Sequence, residues 1–163
     1  MRFRTLMVLL ISAALTATAA AQTKISGTLQ CAKADPAHSI EVGDAPGHMM
    51  TLGKVACTWS KTFEMGGSTS KDGYSIASSE IEGGKSTETG VHAGTMSNGD
   101  RYFVKFHGTG TVAKDGGASV AGTWSFTGGT GKLKGLTGGG TYKTTGAADG
   151  TGTAQVEGEA RTP

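Results

Sequence analysis

Apolar and polar residues alternate with a two-residue period along much of the chain. In Arg101–Ala113, Tyr102, Val104 and Phe106 fall on one side, and Arg101, Phe103, Lys105 and His107 on the other. In Ser119–Thr127, Trp124 and Phe126 oppose Thr123, Ser125 and Thr127. That period belongs to a strand with one buried face. The same pattern predicts strands at Lys24–Cys31, Tyr74–Glu82, Thr87–Met96, Gly140–Thr145 and Thr151–Glu157, and leaves room for a further short one at His38–Val42. His48–Leu52 and Lys54–Trp59 read as two strands, or as one long strand bulged at Gly53. Turn residues separate these segments: Asp35-Pro36, Ala45-Pro46-Gly47, Gly83-Gly84, Asn98-Gly99, Asp115-Gly116-Gly117 and Asp149-Gly150. Asn-Gly is the strongest hairpin signal among them. Phe63–Asp72, rich in Gly and Ser, reads as a connection. Eight or nine strands joined in sequence predict an all-β fold, an eight-stranded (eight to nine) antiparallel up-and-down β-barrel, because closing the sheet removes its exposed edges.

The first 21 residues differ from the rest. Arg2 and Arg4 precede an apolar run from Leu6 to Leu15, and Ala19-Ala20-Ala21 supplies small residues for cleavage before Gln22. This pattern reads as a secretory signal peptide over residues 1–21, too short in its apolar run to span a bilayer. Residues 22–163 then form a single β-barrel domain in the periplasm or outside the cell. Removing the leader takes away both of its arginines, so the formal charge falls from +2 to zero. A neutral protein carries no electrostatic footprint for nucleic acid or anionic lipid.

All 28 glycines lie beyond residue 21. They sit between segments bearing Trp, Phe, Tyr, Val and Ile, which favours short strands and tight turns over disorder. The densest cluster is in Trp124–Tyr142, where a strand breaks at Gly128-Gly129-Thr130-Gly131, passes two apolar anchors, Leu133 and Leu136, and returns at Thr141-Tyr142. This stretch resembles the barrel superfamily of allene oxide cyclases and dirigent proteins, whose Gly-Gly-Thr-Gly turn is matched by Gly128, Gly129, Thr130, Gly131 and Leu133. It is also similar to small exported bacterial proteins with a Trp-Ser-Phe-x-Gly-Gly-Thr-Gly segment. The resemblance implies an eight-stranded barrel with an apolar cavity, trimeric in the plant members. Cyclases of the superfamily use a cavity Glu with ordered water, and no residue here matches that Glu by position. The motif itself is structural, with Leu133 and Leu136 placed to plug a barrel end.

Cys31 and Cys57 are the two cysteines, and in an exported chain an even pair reads as a disulfide, with two free thiols as the alternative. A disulfide between them closes a loop of about 25 residues, for which chain entropy gives roughly 3 kcal/mol. Trp59, Tyr74, Tyr102, Phe106, Trp124, Phe126 and Tyr142 are the aromatic candidates to line a cavity, and a barrel core needs the same residues. Glu64, Arg101 and His107 are the polar candidates, with Glu80 and Glu82 as further acids. Arg101 and His107 face solvent if Tyr102, Val104 and Phe106 face in, and enter the cavity only if a bulge reverses the phase. The histidines His38, His48, His92 and His107 show no paired metal-ligand spacing, and Met49 and Met50 beside His48 point to opposite faces of a strand. Gly131-Lys132 lacks the rest of a phosphate-binding loop. No cofactor or metal is expected. The expected function is an exported, non-enzymatic module that binds a small apolar ligand or assembles through its outer surface. The alternative is an isomerase- or cyclase-like enzyme acting on an apolar or phenolic substrate.

Overall fold

The alternating segments form strands, and the strands close. The computed structural model describes residues 21–162, so the expected leader falls outside the described residues except for Ala21, which opens the first strand. Ten strands follow in order: β1 (Ala21–Cys31), β2 (Ala37–Glu41), β3 (Met49–Lys61), β4 (Glu64–Met65), β5 (Ser68–Glu82), β6 (Lys85–Met96), β7 (Arg101–Val112), β8 (Ala118–Gly129), β9 (Thr137–Gly146) and β10 (Gly152–Thr162). Eight of them make the barrel, in the antiparallel ring β1-β3-β5-β6-β7-β8-β9-β10 and back to β1. β2 and β4 lie outside it. β1 pairs with Cys57–Lys61 of β3, and β2 pairs with Met49–Gly53 on that same side, so β2 prolongs the line of β1 past the barrel rim.

Several boundaries differ from the sequence reading. β3 is one strand whose register with β5 runs unbroken through Gly53; its bulge lies instead at Ser60, against β1, and β5 is bulged at Lys71, against β6. Phe63–Asp72 is not a plain connection: it holds β4 and the start of β5. β10 runs five residues past Glu157, to Thr162, where it completes the pairing with β1.

One end of the barrel is shut. After β8 the chain makes a single 3-10 turn, Gly131–Leu133, which lays Leu133 and Leu136 across the opening, both at most 2% exposed. Met65 of β4 and Met96 of β6 are buried with them. The plug is tied down by its motif: Thr130 N–H donates to Arg101 O at 2.8 Å, Thr130 Oγ1 accepts from Arg101 N–H at 2.8 Å, and Lys132 N–H donates to Asp100 Oδ2 at 3.2 Å. Gly131 holds a positive φ of 53°, and a β-carbon there would collide with the Asp100 carboxylate. The Gly-Gly-Thr-Gly segment therefore works as a lid anchored to the β6–β7 hairpin.

Cys31 and Cys57 face each other across β1 and β3 and are joined as a disulfide over a separation of 26 residues. On the outside, Ile40, Met50, Leu52, Ile76 and Val91 stay exposed and form an oblique apolar stripe, with Ile40 paired to Met50 and Ile76 to Val91. Among the described residues no helix is long and apolar enough to cross a membrane.

Candidate functional site

The barrel interior is a cavity above the plug, and glycine makes room for it. In a small barrel, large inward side chains would normally meet at the axis and fill the lumen. Here they lie flat on the wall instead, each over a glycine of a neighbouring strand. Gly94 pairs with Tyr102, Gly90 with Phe106 and Gly122 with Tyr142, and at each glycine a β-carbon would run into the partner's ring. Trp124 lies over Gly158 and Trp59 over Gly27 in the same way. The space left at the axis is a cavity of about 270 Å3. Its lining reaches the exposed loop residues Ala32, Gly150 and Thr151, where it meets solvent.

Six of the seven aromatic candidates line this cavity: Trp59, Tyr102, Phe106, Trp124, Phe126 and Tyr142. Their rings meet edge to face, as aromatic quadrupoles prefer, with Trp124 and Phe126 at 5.0 Å and Phe106 and Tyr142 at 5.8 Å. Tyr74 does not join them. It sits on the outer face of β5, with Lys54 Nζ 4.6 Å above its ring. Aliphatic groups, among them Leu29, Val55, Val104 and Val156, complete the walls.

None of the three polar candidates reaches the lumen. Glu64 is exposed on β4. Arg101 is exposed and stacks over Phe103 at 5.4 Å, and His107 is exposed beside Thr123 Oγ1 at 3.3 Å. β7 keeps the simple phase: the bulge between the Phe103 and Val104 pairings lies in β8, at Thr127, and Arg101 and His107 stay outside. Glu82 is exposed at the β5–β6 turn, and Glu80 is also outside. Glu80 Oε1 lies 3.0 Å from His48 Nε2, while Asp44 Oδ1 lies 2.6 Å from His48 Nδ1. With a carboxylate on each ring nitrogen, only the doubly protonated imidazole satisfies both contacts, and the Asp44 and Glu80 bonds raise the His48 pKa above its ordinary value. That pins the β2–β3 turn to β5. Among the described residues no three His, Cys, Asp or Glu side chains converge as a metal site would need.

Besides the tyrosines and indoles, the polar side chains that line the lumen are Ser75, Glu88, His92 and Thr144, with Thr151 at the mouth. Ser75 with His92, and Glu88, form two stations. At the first, Trp59 Nε1–H donates to Tyr102 Oη at 2.9 Å, Tyr102 Oη lies 3.5 Å from His92 Nε2, and His92 Nδ1 lies 3.0 Å from Ser75 Oγ. His92 is 7% exposed, and burial without a charged partner pushes its pKa down to about 4, so it is neutral at physiological pH. Burial likewise pushes the Tyr102 phenol up. At the second station Tyr142 O–H donates to Glu88 Oε1 at 2.6 Å, and burial, then the Glu88 bond and charge, push the Tyr142 pKa up.

The sequence hid these residues because of one turn. A two-residue turn at Asn98-Gly99 would set Thr95 opposite Tyr102 and turn Val91 and Ala93 inward. The observed hairpin is one residue longer: Met96 N–H donates to Asp100 O, Gly99 takes a φ of 87°, and Gly94 faces Tyr102. A one-residue change in register moves every side chain of a strand to the other face. It brings Glu88 and His92 in and leaves Val91 out.

Comparison with protein-family models, curated proteins and solved structures finds no match to the chain.

Proposed function

We propose that this protein is an exported barrel that binds one small apolar ligand in its lumen. The observation that carries the reading is the open cavity kept by aromatic side chains laid over glycines. Rings held flat at the cost of the packing they would gain by filling the axis are arranged for an occupant. A cavity of roughly 150 Å3 accommodates benzene, so 270 Å3 suits a ligand of about two rings. The Cys31–Cys57 disulfide supports an oxidising compartment, periplasmic or extracellular, in agreement with the expected leader. The resemblance to allene oxide cyclases and dirigent proteins points the same way, to a cavity that handles apolar molecules.

The test is native mass spectrometry of the protein purified from its own envelope, paired with thermal-shift measurements on two-ring apolar probes. A stoichiometric passenger, or a clear rise in melting temperature, supports the reading. A bare protein that no probe stabilises refutes it. The same spectra give the subunit count, with a trimer expected by the resemblance.

A second reading, an isomerase- or cyclase-like enzyme, is favoured by Glu88 alone, because a carboxylate facing a mostly apolar cavity is a candidate acid or base. Its test is exchange of solvent deuterium into an enolisable aryl ketone, catalysed by the wild type and lost in Glu88→Gln. No exchange above the buffer rate excludes it for that substrate class.

A further inference from the structure

A ligand in the lumen meets two polar stations, and their hydrogen-bonding senses are opposite. At the first, three contacts join four side chains: Trp59 to Tyr102, Tyr102 to His92, and His92 to Ser75. Each side chain brings one proton to share: an indole N–H, a phenol O–H, the single N–H of a neutral imidazole and a serine O–H. Four protons meet three contacts, so one proton has no partner among these four side chains. Trp59 can only donate, and its proton goes to the Tyr102 oxygen. If Tyr102 then donates to His92 Nε2, His92 Nδ1–H donates to Ser75, and the Ser75 hydroxyl proton is spare. In the other tautomer Ser75 donates to Nδ1, Nε2–H donates to Tyr102, and the Tyr102 hydroxyl proton is spare. Both Ser75 and Tyr102 line the cavity. Whichever tautomer is present, the station offers a donor and requires an acceptor.

Glu88 reverses this. It faces the lumen from the same strand as His92, four residues towards the β5–β6 turn, which is about 13 Å along a strand. One of its oxygens accepts from Tyr142, and a carboxylate keeps further lone pairs for other donors. Among the described residues that line the cavity there is no lysine or arginine to balance it. Ser86, the next inward position on β6, carries a buried hydroxyl with no hydrogen-bond partner among the described residues.

Building on the ligand-binding reading, we infer that the cavity selects an elongated, two-ring molecule with polar groups of opposite kind at its ends. A carbonyl or ether oxygen sits at the Ser75–Tyr102 station, and a hydroxyl or ammonium group sits at Glu88. Anionic ligands such as aryl carboxylates are rejected, because Glu88 repels them and no cation compensates.

The experiment is calorimetric titration of the purified protein with four probes of one shape: biphenyl, para-acetylbiphenyl, its para-prime hydroxy derivative, and para-biphenylcarboxylate. The expected order is a gain of about tenfold for the acetyl group and about tenfold more for the hydroxyl, as neutral and charge-assisted hydrogen bonds give. The carboxylate binds about tenfold or more below biphenyl. In Glu88→Gln, which keeps the shape and the Tyr142 contact, the hydroxyl gain shrinks and the carboxylate recovers to the level of biphenyl. Biphenyl binding with all four probes alike, or with the carboxylate tightest, overturns the two-station assignment and leaves the binding cavity intact. No binding of any probe overturns the cavity reading itself. The wild-type ranking decides the matter even if the variant does not fold.

Discussion

Replacing His92 with Gln removes the one imidazole that lines the lumen among the described residues, and the consequence for stability can be worked out. In the folded barrel burial lowers the His92 pKa from 6.5 to about 4. In the unfolded chain the ring titrates near its ordinary value. As pH falls below 6.5 the unfolded state therefore takes up a proton that the folded state refuses, and stability drops until the folded ring also titrates. At about pH 4.5 the unfolded ring is almost wholly protonated and the folded ring mostly neutral, which amounts to about 2–3 kcal/mol lost relative to neutral pH. The carboxylates and His48 also change stability over this range, but they are common to wild type and variant and cancel in the difference. The assay is urea unfolding of both proteins at steps between about pH 7.5 and about pH 4.5. The wild type should lose about 2–3 kcal/mol more than His92→Gln across that interval, with the divergence starting near pH 6.5. Parallel curves, differing by less than about 0.5 kcal/mol in their fall, would mean that the ring is not held neutral in a dry wall.

Three further outcomes follow from the packing. Gly94→Ala puts a methyl into the Tyr102 ring and should cost about 1–3 kcal/mol. Gly146→Ala meets only ordinary contacts, the nearest at 3.5 Å, so its melting temperature should stay close to the wild type. Leu133→Ala opens the plug at a side chain 1% exposed and should cost about 2–5 kcal/mol in chemical denaturation. For His48, the Asp44 and Glu80 bonds raise the pKa, so its contribution is present below 6.5 and fades as pH rises through the folded value. Glu80→Gln should lower the His48 pKa in an NMR titration, and an unchanged value would show that the β2–β3 turn is not clasped there.

The barrel was legible because its signals are local. Two-residue alternation in β7 and β8, turn glycines, and an even cysteine pair each name their own piece, and an all-β chain with that many hairpins closes on itself. The Gly128–Leu133 plug could be read from its motif and its two leucines. β2 and β4 were harder, since β2 is exposed along its whole length and β4 is two residues long. The interior of β6 was out of reach for a different reason. Its inward positions are Ser86, Glu88, Gly90, His92, Gly94 and Met96, whereas Val91 faces out. Glycine faces inward because an aromatic ring from β7 covers it, so the apolar surface belonging to β6 is supplied by another strand. Alternation within one segment cannot report that. It takes the cross-strand register, and the register depended on a single residue in the Ser97–Asp100 turn.

On the proposed function, the lumen and not the exposed outer stripe takes the apolar ligand. Intermolecular NOEs between biphenyl and the methyl groups of the isotopically labelled protein test it most directly. The cavity account predicts contacts to Leu29, Val104 and Val156, which line the lumen, and none to Ile40, Leu52 or Val91, which are exposed outside. Contacts confined to Ile40, Leu52 and Val91 would contradict it and assign the apolar binding to the surface.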